Sequence, residues 1–364
     1  MSQVRQARST PFWASALAGV LLMSGASERR TAELRSGAPK KRERLTSGTS
    51  EDRGRGAETP AEIPATGWKD IVVRVYQDIG DDRIVAIAAG VTFFVLLALF
   101  PGIAGLISIY GLFADPGKMA EHLNALAGIL PEGGTQILSE QIKLLTAQPP
   151  QKLGLAMVAG LAISLWSANG GIKAMFDALN VVYRERERRN FIVLNLQSLT
   201  FTLGALAFVM VSLLVIAVIP ALLEASSLSR AGELLIKIGR WPLLFVGASF
   251  FIALVFRFGP SRDKPKWRWI TPGCMFAAGG WLAASLLFSW YAENFGNYNK
   301  TYGSLGAAIG FMTWLWISVI VILVGAKLNA EIEHQTARDT TVGRPRPLGE
   351  RGARMADTVG ESAH

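Results

Sequence analysis

Residues 84–113 read IVAIAAGVTFFVLLALFPGIAGLISIYGLF, a continuous run without a charged side chain. About twenty apolar residues in a helix cross the hydrocarbon core of a bilayer, so this run is long enough to span it. Pro101 lies inside the run, where it removes one backbone hydrogen bond and is expected to kink the helix. The run therefore predicts a membrane-spanning helix.

Further apolar stretches follow along the chain, at residues 153–172, 192–222, 241–258, 272–291 and 302–326. Thr271 and Pro272 are residue types that favour a helix cap and a first helical position, so they predict the start of the fifth stretch. Half of all residues are hydrophobic although the net charge is +9, as expected when basic residues are concentrated in loops between spans. We predict an all-α, polytopic membrane protein with six transmembrane helices.

Basic residues predict the orientation of these helices. When the segments between spans are assigned alternately to two sides, thirty of the 37 Lys and Arg residues fall on one side. Basic residues stay on the cytoplasmic side because translocating them is costly. We therefore predict a multi-pass protein of the bacterial inner membrane with both termini in the cytoplasm.

The two ends of the chain are polar. Residues 28–66 hold almost no large apolar side chains. We predict disordered cytoplasmic tails at 1–67 and 334–364, on either side of a six-helix transmembrane domain at 68–333. The apolar run at 11–23 resembles a signal peptide but is too short to span. A cleaved signal peptide would place the following Arg-rich stretch outside the cell and invert the charge pattern. The alternative interpretations of this run are an interfacial segment and a start codon assigned too far upstream.

The predicted external loop at residues 114–152 is the longest. Leu123, Leu126 and Leu130 recur at helical spacing, and a second amphipathic turn follows at residues 137–145. The pattern predicts two short amphipathic helices in the first periplasmic loop. They could pack over the bundle or dock an envelope protein.

Polar side chains at the ends of the spans are the candidate functional positions, because such groups are costly in a bilayer. Lys173 and Asp177 are four residues apart and could pair on one helix face. No carboxylate lies near the middle of a span, which weakens a proton-coupled or cation-coupled pump hypothesis. The candidates are Ser167, Asn169, Lys173, Asp177, Asn329 and Glu331.

Four arginines in the first internal loop are candidate contacts for lipid headgroups: Arg184, Arg186, Arg188 and Arg189. Each basic residue near an anionic leaflet contributes about 1 kcal/mol to membrane attraction. The positive-inside rule would place arginines in this loop even without a specific lipid site.

Side chains suited to catalysis or to metal binding are sparse. Cys274 is the single cysteine, which excludes an intramolecular disulfide or a thiolate metal cluster within one chain. The histidines are His122, His334 and His364, far apart and without a partner at ligand spacing. We therefore predict no catalytic residues, no metal, no cofactor and no enzymatic activity.

Three motifs resemble the YihY/BrkB family of inner-membrane proteins. They are AAGVTFF at 88–94, WSANGG at 166–171, and YGSLGAA at 302–308 with GAKLNAE at 325–331. The resemblance covers about residues 68–333. The sequence departs from the family pattern at Phe93 and Phe94, where tyrosines are common, and at Lys327, where an acidic residue is common.

The resemblance implies six inner-membrane helices and little chemistry. The family was formerly labelled ribonuclease BN, and it is also linked to a serum-resistance virulence factor and to lipid export. A nuclease needs clustered carboxylates or histidines, or acid–base residues with phosphate anchors, in a site that RNA can reach. Because the motifs lie in predicted spans, we predict that the chain is not a ribonuclease and has no nucleic-acid partner.

Two functions fit these observations. The first is a transporter or flippase-like protein for a lipid or another amphiphile in envelope biogenesis. The alternative is a non-transporting membrane scaffold that recruits envelope-assembly partners through residues 114–152. Membrane lipids are predicted partners in either case, and the sequence leaves the oligomeric state open.

Overall fold

A computed structural model describes residues 53–113, 150–215, 230–295 and 304–362. These ranges contain a short 3-10 turn at Pro60–Glu62, one antiparallel bridge between Pro265 and Thr341, and helices. The helices are α1 (Ala65–Asp81), α2 (Ile84–Phe113), α3 (Pro150–Val182), α4 (Phe191–Leu213), α5 (Arg230–Phe258), α6 (Trp267–Phe295), α7 (Ser304–Gln335) and α8 (Arg354–Asp357). The apolar run at 11–23 and the loop helices predicted within 114–149 lie outside the described residues.

Five of these helices contain a segment that is long and apolar enough to cross a membrane. The segments are Ile84–Ile103, Phe191–Ser212, Trp241–Phe258, Trp267–Tyr291 and Ala308–Gln335. The span predicted at residues 153–172 lies within α3, a helix of 33 residues, but is not one of these five. The all-helical, multi-pass membrane architecture is confirmed for the described ranges.

The outward faces of the helices expose large apolar side chains. Leu196 on α4, Phe250 on α5 and Leu287 on α6 are each more than half exposed. A soluble protein rarely leaves so much apolar surface in contact with water, whereas acyl chains of a bilayer cover it without cost. These faces are therefore suited to contact lipid.

The buried core lies at one end of the bundle. It draws on the first turns of α2 and α6 and on the last turns of α3, α5 and α7, with Leu179, Phe256 and Leu323 fully buried. The main helix contacts pair α2 with α3 and α6 with α7, and α1 packs across α7. This is the end that the charge pattern predicts to be cytoplasmic.

Helices α6 and α7 approach each other closely at two glycines. A Cβ added at Gly325 would lie 2.6 Å from the carbonyl oxygen of Gly273, and one at Gly273 would collide with the carbonyl oxygen of Gly325. Backbone atoms of packed helices cannot move aside as a flexible side chain can. The crossing therefore needs glycine on both helices.

We expect Gly273→Ala to lower stability because the added methyl forces α6 and α7 apart, at a cost of about 1–3 kcal/mol. Thermal unfolding of the purified chain in detergent measures this effect. The matched control is Gly279→Ala on the same helix, where an added Cβ meets nothing within 4 Å. Equal unfolding midpoints for the two variants would contradict the assigned crossing.

The segment after α7 is folded onto the end of the bundle. The Arg351 guanidinium donates hydrogen bonds to the carbonyl oxygens of Ala337, Arg338 and Ala356. Met355 of α8 is buried in the core. The sequence predicted a disordered tail from residue 334, and residues 336–362 do not meet that expectation. Composition shows the scarcity of apolar residues, but it does not reveal the arginine-to-carbonyl hydrogen bonds that order this segment.

The segment before α1 is also ordered from residue 53 onward, within the stretch that was expected to be disordered. Arg53 pairs with Asp70 of α1 at 2.9 Å. Ile63 and Ile71 pack with Ile332 of α7 in a small second apolar cluster. A few well-placed contacts therefore suffice to anchor this polar segment to the membrane helices.

Candidate functional site

Lys327, near the end of α7, is the centre of a buried charge cluster. Its Nζ lies 2.6 Å from Oδ2 of Asp78 and 2.8 Å from Oδ2 of Asp82. Oε1 of Glu331, one turn later on α7, is 3.7 Å away. The lysine side chain is fully buried, so one ammonium group faces three carboxylates. We refer to these four residues as the lysine cluster.

Two arginines and a histidine surround the carboxylates of the lysine cluster. Nε of Arg74 lies 2.6 Å from Glu331, and Nη2 of Arg184 lies 2.9 Å from Asp78. Nδ1 of His334 is 3.3 Å from Glu331. Burial raises the pKa of Asp78, against the opposing hydrogen bond from the central ammonium. The cluster thereby links α1, the loop after α3 and the end of α7.

A second buried ion pair lies beside the lysine cluster. Nη2 of Arg262 is 2.6 Å from Oε1 of Glu333, and neither side chain is exposed. The guanidinium lies 4.3 Å from the ring centroid of Tyr183, and Thr340 donates a hydrogen bond to Glu333. Burial raises the pKa of the Tyr183 hydroxyl. This pair fixes the loop after α5 and the C-terminal segment to α7.

The lysine cluster and this pair suit a structural role better than acid–base catalysis. A general acid or base must reach a substrate proton, whereas these groups are buried and already occupied by partners of opposite charge. Buried ion pairs contribute little net stability compared with apolar packing, but removing one partner is strongly destabilising. They therefore hold the helix ends in one arrangement.

Another set of polar side chains lies inside the bundle, between α3 and α4. Asn195, Ser198 and Thr202 are buried and follow one another at spacings of three and four residues, so they share a face of α4. Thr202 donates a hydrogen bond to Oδ1 of Asn169 on α3, at 3.3 Å. We call these four residues the polar stripe.

Two atoms of the polar stripe lack hydrogen-bond partners within the described part of the chain. They are Nδ2 of Asn169 and Oδ1 of Asn195, both buried. The Ser198 hydroxyl donates to the carbonyl oxygen of Leu194, and the single hydroxyl proton of Thr202 is shared between the carbonyl oxygen of Ser198 at 2.9 Å and Oδ1 of Asn169 at 3.3 Å. An unsatisfied amide is costly in an apolar environment. The stripe therefore offers a donor and an acceptor to a polar group that enters the bundle.

The structure distributes the six candidate positions over separate places. Asn169 belongs to the polar stripe and Glu331 to the lysine cluster, while Oδ1 of Asn329 accepts a hydrogen bond from the Gly273 amide at 2.7 Å. Ser167 and Asp177 are exposed. The Lys173 ammonium lies 5.1 Å from the ring centroid of Trp166.

The four loop arginines also differ from one another. Arg189 is mostly buried and binds Glu187 and the carbonyl oxygen of Gly259. Burial opposes ionisation of Glu187, but hydrogen bonds from Arg189 outweigh it and lower the pKa of Glu187 to about 2.

Among the other three loop arginines, Arg184 pairs with Asp78 of the lysine cluster. Arg186 and Arg188 are exposed, although Arg188 also contacts Glu185, and these two are the more accessible to headgroups.

Sequence reasoning missed α1 and most of the polar stripe. The spacing of Ile71, Val75 and Ile79 is typical of an amphipathic helix and would have indicated α1. The spacing of Asn195, Ser198 and Thr202 would have indicated one polar face within a predicted span. Within the described ranges, no group of three or more His, Cys, Asp and Glu side chains could hold a metal ion.

A family model described as virulence factor BrkB matches residues 75–348. This chain belongs to the BrkB family. The match confirms the resemblance of the three motifs. It also covers both the polar stripe and the lysine cluster, so the described helices lie almost entirely within the family region.

Relatives of this BrkB-family chain carry two kinds of name. The chain is 29% identical over 253 residues to the ribonuclease-like protein YfkH of Bacillus subtilis, covering 67% of the chain and 88% of YfkH. It is 28% identical over 274 residues to a UPF0761 membrane protein of Alkalilimnicola ehrlichii, covering 71% and 57%. It is 25% identical over 286 residues to one of Neisseria meningitidis serogroup B, covering 75% and 64%.

The chain thus spans less than two thirds of the length of these two UPF0761 relatives. No solved structure matches it.

Proposed function

We propose that this chain moves a lipid or another amphiphile through or along the inner membrane during envelope biogenesis. The polar stripe is the observation that carries the proposal. An amphiphile needs polar contacts for its headgroup and an apolar surface for its tails. The stripe offers an unpaired amide donor and acceptor, while Ile163 of α3 and Leu196 of α4 expose apolar surface on the same helix pair.

Reconstitution tests this function. Liposomes that contain the purified chain and a headgroup-labelled phospholipid are treated with a membrane-impermeant reductant, which destroys the label in the outer leaflet. We expect the inner-leaflet label to be lost faster than in protein-free liposomes of the same composition. The proposal would be contradicted if liposomes with and without the protein lost the label at equal rates for all three probes: phosphatidylglycerol, phosphatidylethanolamine and phosphatidylcholine.

We also propose that α3 crosses the membrane, which brings the number of spans to six. Both termini are then cytoplasmic, and residues 68–333 form the transmembrane domain. The basic loops after α3 and α5 both contact the C-terminal segment at one end of the bundle. The Arg354 amide donates a hydrogen bond to Glu185, and Pro265 forms a bridge with Thr341. An odd number of spans would place the two ends of the chain on opposite sides. The alternation of basic loops supports six.

Cysteine labelling tests this topology. In a Cys274→Ser background, single replacements at Glu58 and Val359 should resist a membrane-impermeant maleimide applied to cells with a permeabilised outer membrane. Replacements at Gly133 and Asn297, in predicted external loops, should react. Reaction at Glu58 or Val359 without membrane disruption would refute the cytoplasmic assignment, and lysed cells provide the control for reactivity.

The scaffold alternative depends on residues 114–152, most of which lie outside the described residues, and it stays a prediction. A ribonuclease is not the function we propose, because the charged groups of the lysine cluster are buried and paired with one another. The term ribonuclease-like belongs to the name of the relative YfkH, and we do not transfer it to this chain. Crosslinking from a photoreactive residue at Leu123 would capture an envelope protein if the scaffold hypothesis holds.

A further inference from the structure

A cleft of about 300 Å³ opens beside the end of α5 and the loop that leads to α6. Its lining is rich in cations: Arg188, Arg189, Arg257, Arg262 and Lys264. Asp263 is the acidic residue of the lining, and its carboxylate is occupied by Arg346 at 2.6 Å. The cleft therefore carries an excess of positive charge.

Two of these cations lack carboxylate partners among the described residues. The guanidinium of Arg257 lies 4.3 Å from the ring centroid of Trp267, and the ammonium of Lys264 lies 4.9 Å from that of Phe258. By contrast, Arg188, Arg189 and Arg262 each pair with a glutamate. Arg257 and Lys264 are therefore the positive groups still available to an anion.

Unpaired hydrogen-bond donors on residues that line the cleft also indicate an anion-binding site. Nε and Nη1 of Arg257 and of Arg262 are buried without a hydrogen-bond partner in the described part of the chain, although Nη2 of Arg262 binds Glu333. The Arg262 side chain is fully buried. Guanidinium groups are matched by the oxygens of phosphate or carboxylate. The oxygens of an anion in the cleft would supply acceptors of the kind that these donors lack.

The position of the cleft indicates where that anion comes from. Arg257 is the penultimate residue of the segment Trp241–Phe258, and Trp267 begins the segment Trp267–Tyr291. Tryptophan and basic residues at the ends of spans lie at the depth of lipid headgroups. The cleft is therefore within reach of the phosphate of a lipid and of phosphate compounds in the cytoplasm.

We propose that this cleft binds a phosphate group, on an anionic lipid headgroup or as a free phosphate compound, through Arg257 and Lys264. The inference goes beyond the proposed function because binding here does not require transport. The polar stripe and this cleft involve different residues, so each can fail without the other.

Equilibrium binding to the full chain in an uncharged detergent tests the site. The probes are dihexanoyl phosphatidylglycerol, dihexanoyl phosphatidylcholine as the zwitterionic reference, and inorganic phosphate at matched ionic strength. We expect the chain to bind at least one anionic probe more tightly than the reference. Arg257→Gln and Lys264→Gln should each weaken that binding about tenfold, because each removes a charge-assisted contact near the headgroups.

Arg268→Gln is the matched control, because Arg268 is exposed, lies next to Trp267 and does not line the cleft. It should leave binding unchanged. Preference for the lipid over inorganic phosphate identifies a headgroup site, and the reverse identifies a site for free phosphate. The proposal is overturned if neither anionic probe exceeds the reference. It is also overturned if Lys264→Gln, which alters an exposed side chain and should fold, binds like the native chain.

Discussion

Lys327→Met should destabilise the bundle by about 3–5 kcal/mol. The substitution removes the ammonium that faces Asp78, Asp82 and Glu331, and leaves three carboxylates crowded in a buried space. Like charges in such a place repel one another and have lost their hydration. Denaturant unfolding in detergent, followed by circular dichroism, measures the loss.

Two comparisons isolate the charge effect of Lys327→Met. Lys69→Met on α1 removes an exposed ammonium and should leave stability within about 0.5 kcal/mol of the native chain. Adding Asp78→Asn to Lys327→Met should restore part of the loss, because one of the stranded carboxylates is gone. Native stability in the single variant would show that the lysine cluster does not form.

Arg262→Met should cost a similar amount, about 3–5 kcal/mol, because Glu333 would stay buried without its cation. Since a well-packed apolar pair often replaces a buried ion pair without loss, Arg262→Met combined with Glu333→Met should recover most of that stability. The same unfolding measurement applies. Arg268→Met, which removes an exposed guanidinium two residues before Ile270 of the core, serves as the control.

The recovery in the double variant is the decisive comparison for this pair. If the double variant is as unstable as the sum of the two single variants, the two charges are independent and the pair does not form. If it recovers, the ion pair exists, and its role is to define one arrangement of the loop and of α7.

The spans could be predicted from the sequence because a bilayer requires each spanning helix to be long and apolar. The run at residues 84–113 coincides with α2, and residues 241–258 form the membrane segment of α5. Boundaries near prolines were less secure. The sequence placed a helix start at Thr271 and Pro272, whereas α6 begins at Trp267 and Thr271 donates its hydroxyl hydrogen bond back to the Trp267 carbonyl. Membrane helices tolerate such a proline.

The lysine cluster could not be predicted in the same way. Asp82 and Lys327 are 245 residues apart, and their contact depends on how α1 folds back onto α7. The sequence showed Lys327 only as a departure from a family pattern. The polar stripe was within reach, since its spacing on α4 is local, but its pairing with Asn169 needed the structure.

The most direct test of the central claim, that the polar stripe serves the movement of an amphiphile, is the rate of inner-leaflet label loss in matched proteoliposomes. Thr202→Val removes a hydroxyl from the stripe, and Thr200→Val removes one from the exposed face of the same helix. We predict that the native chain and Thr200→Val exceed the protein-free rate, and that Thr202→Val and Asn169→Leu fall towards it. Stripe variants that are correctly folded and as fast as the native chain would contradict the claim.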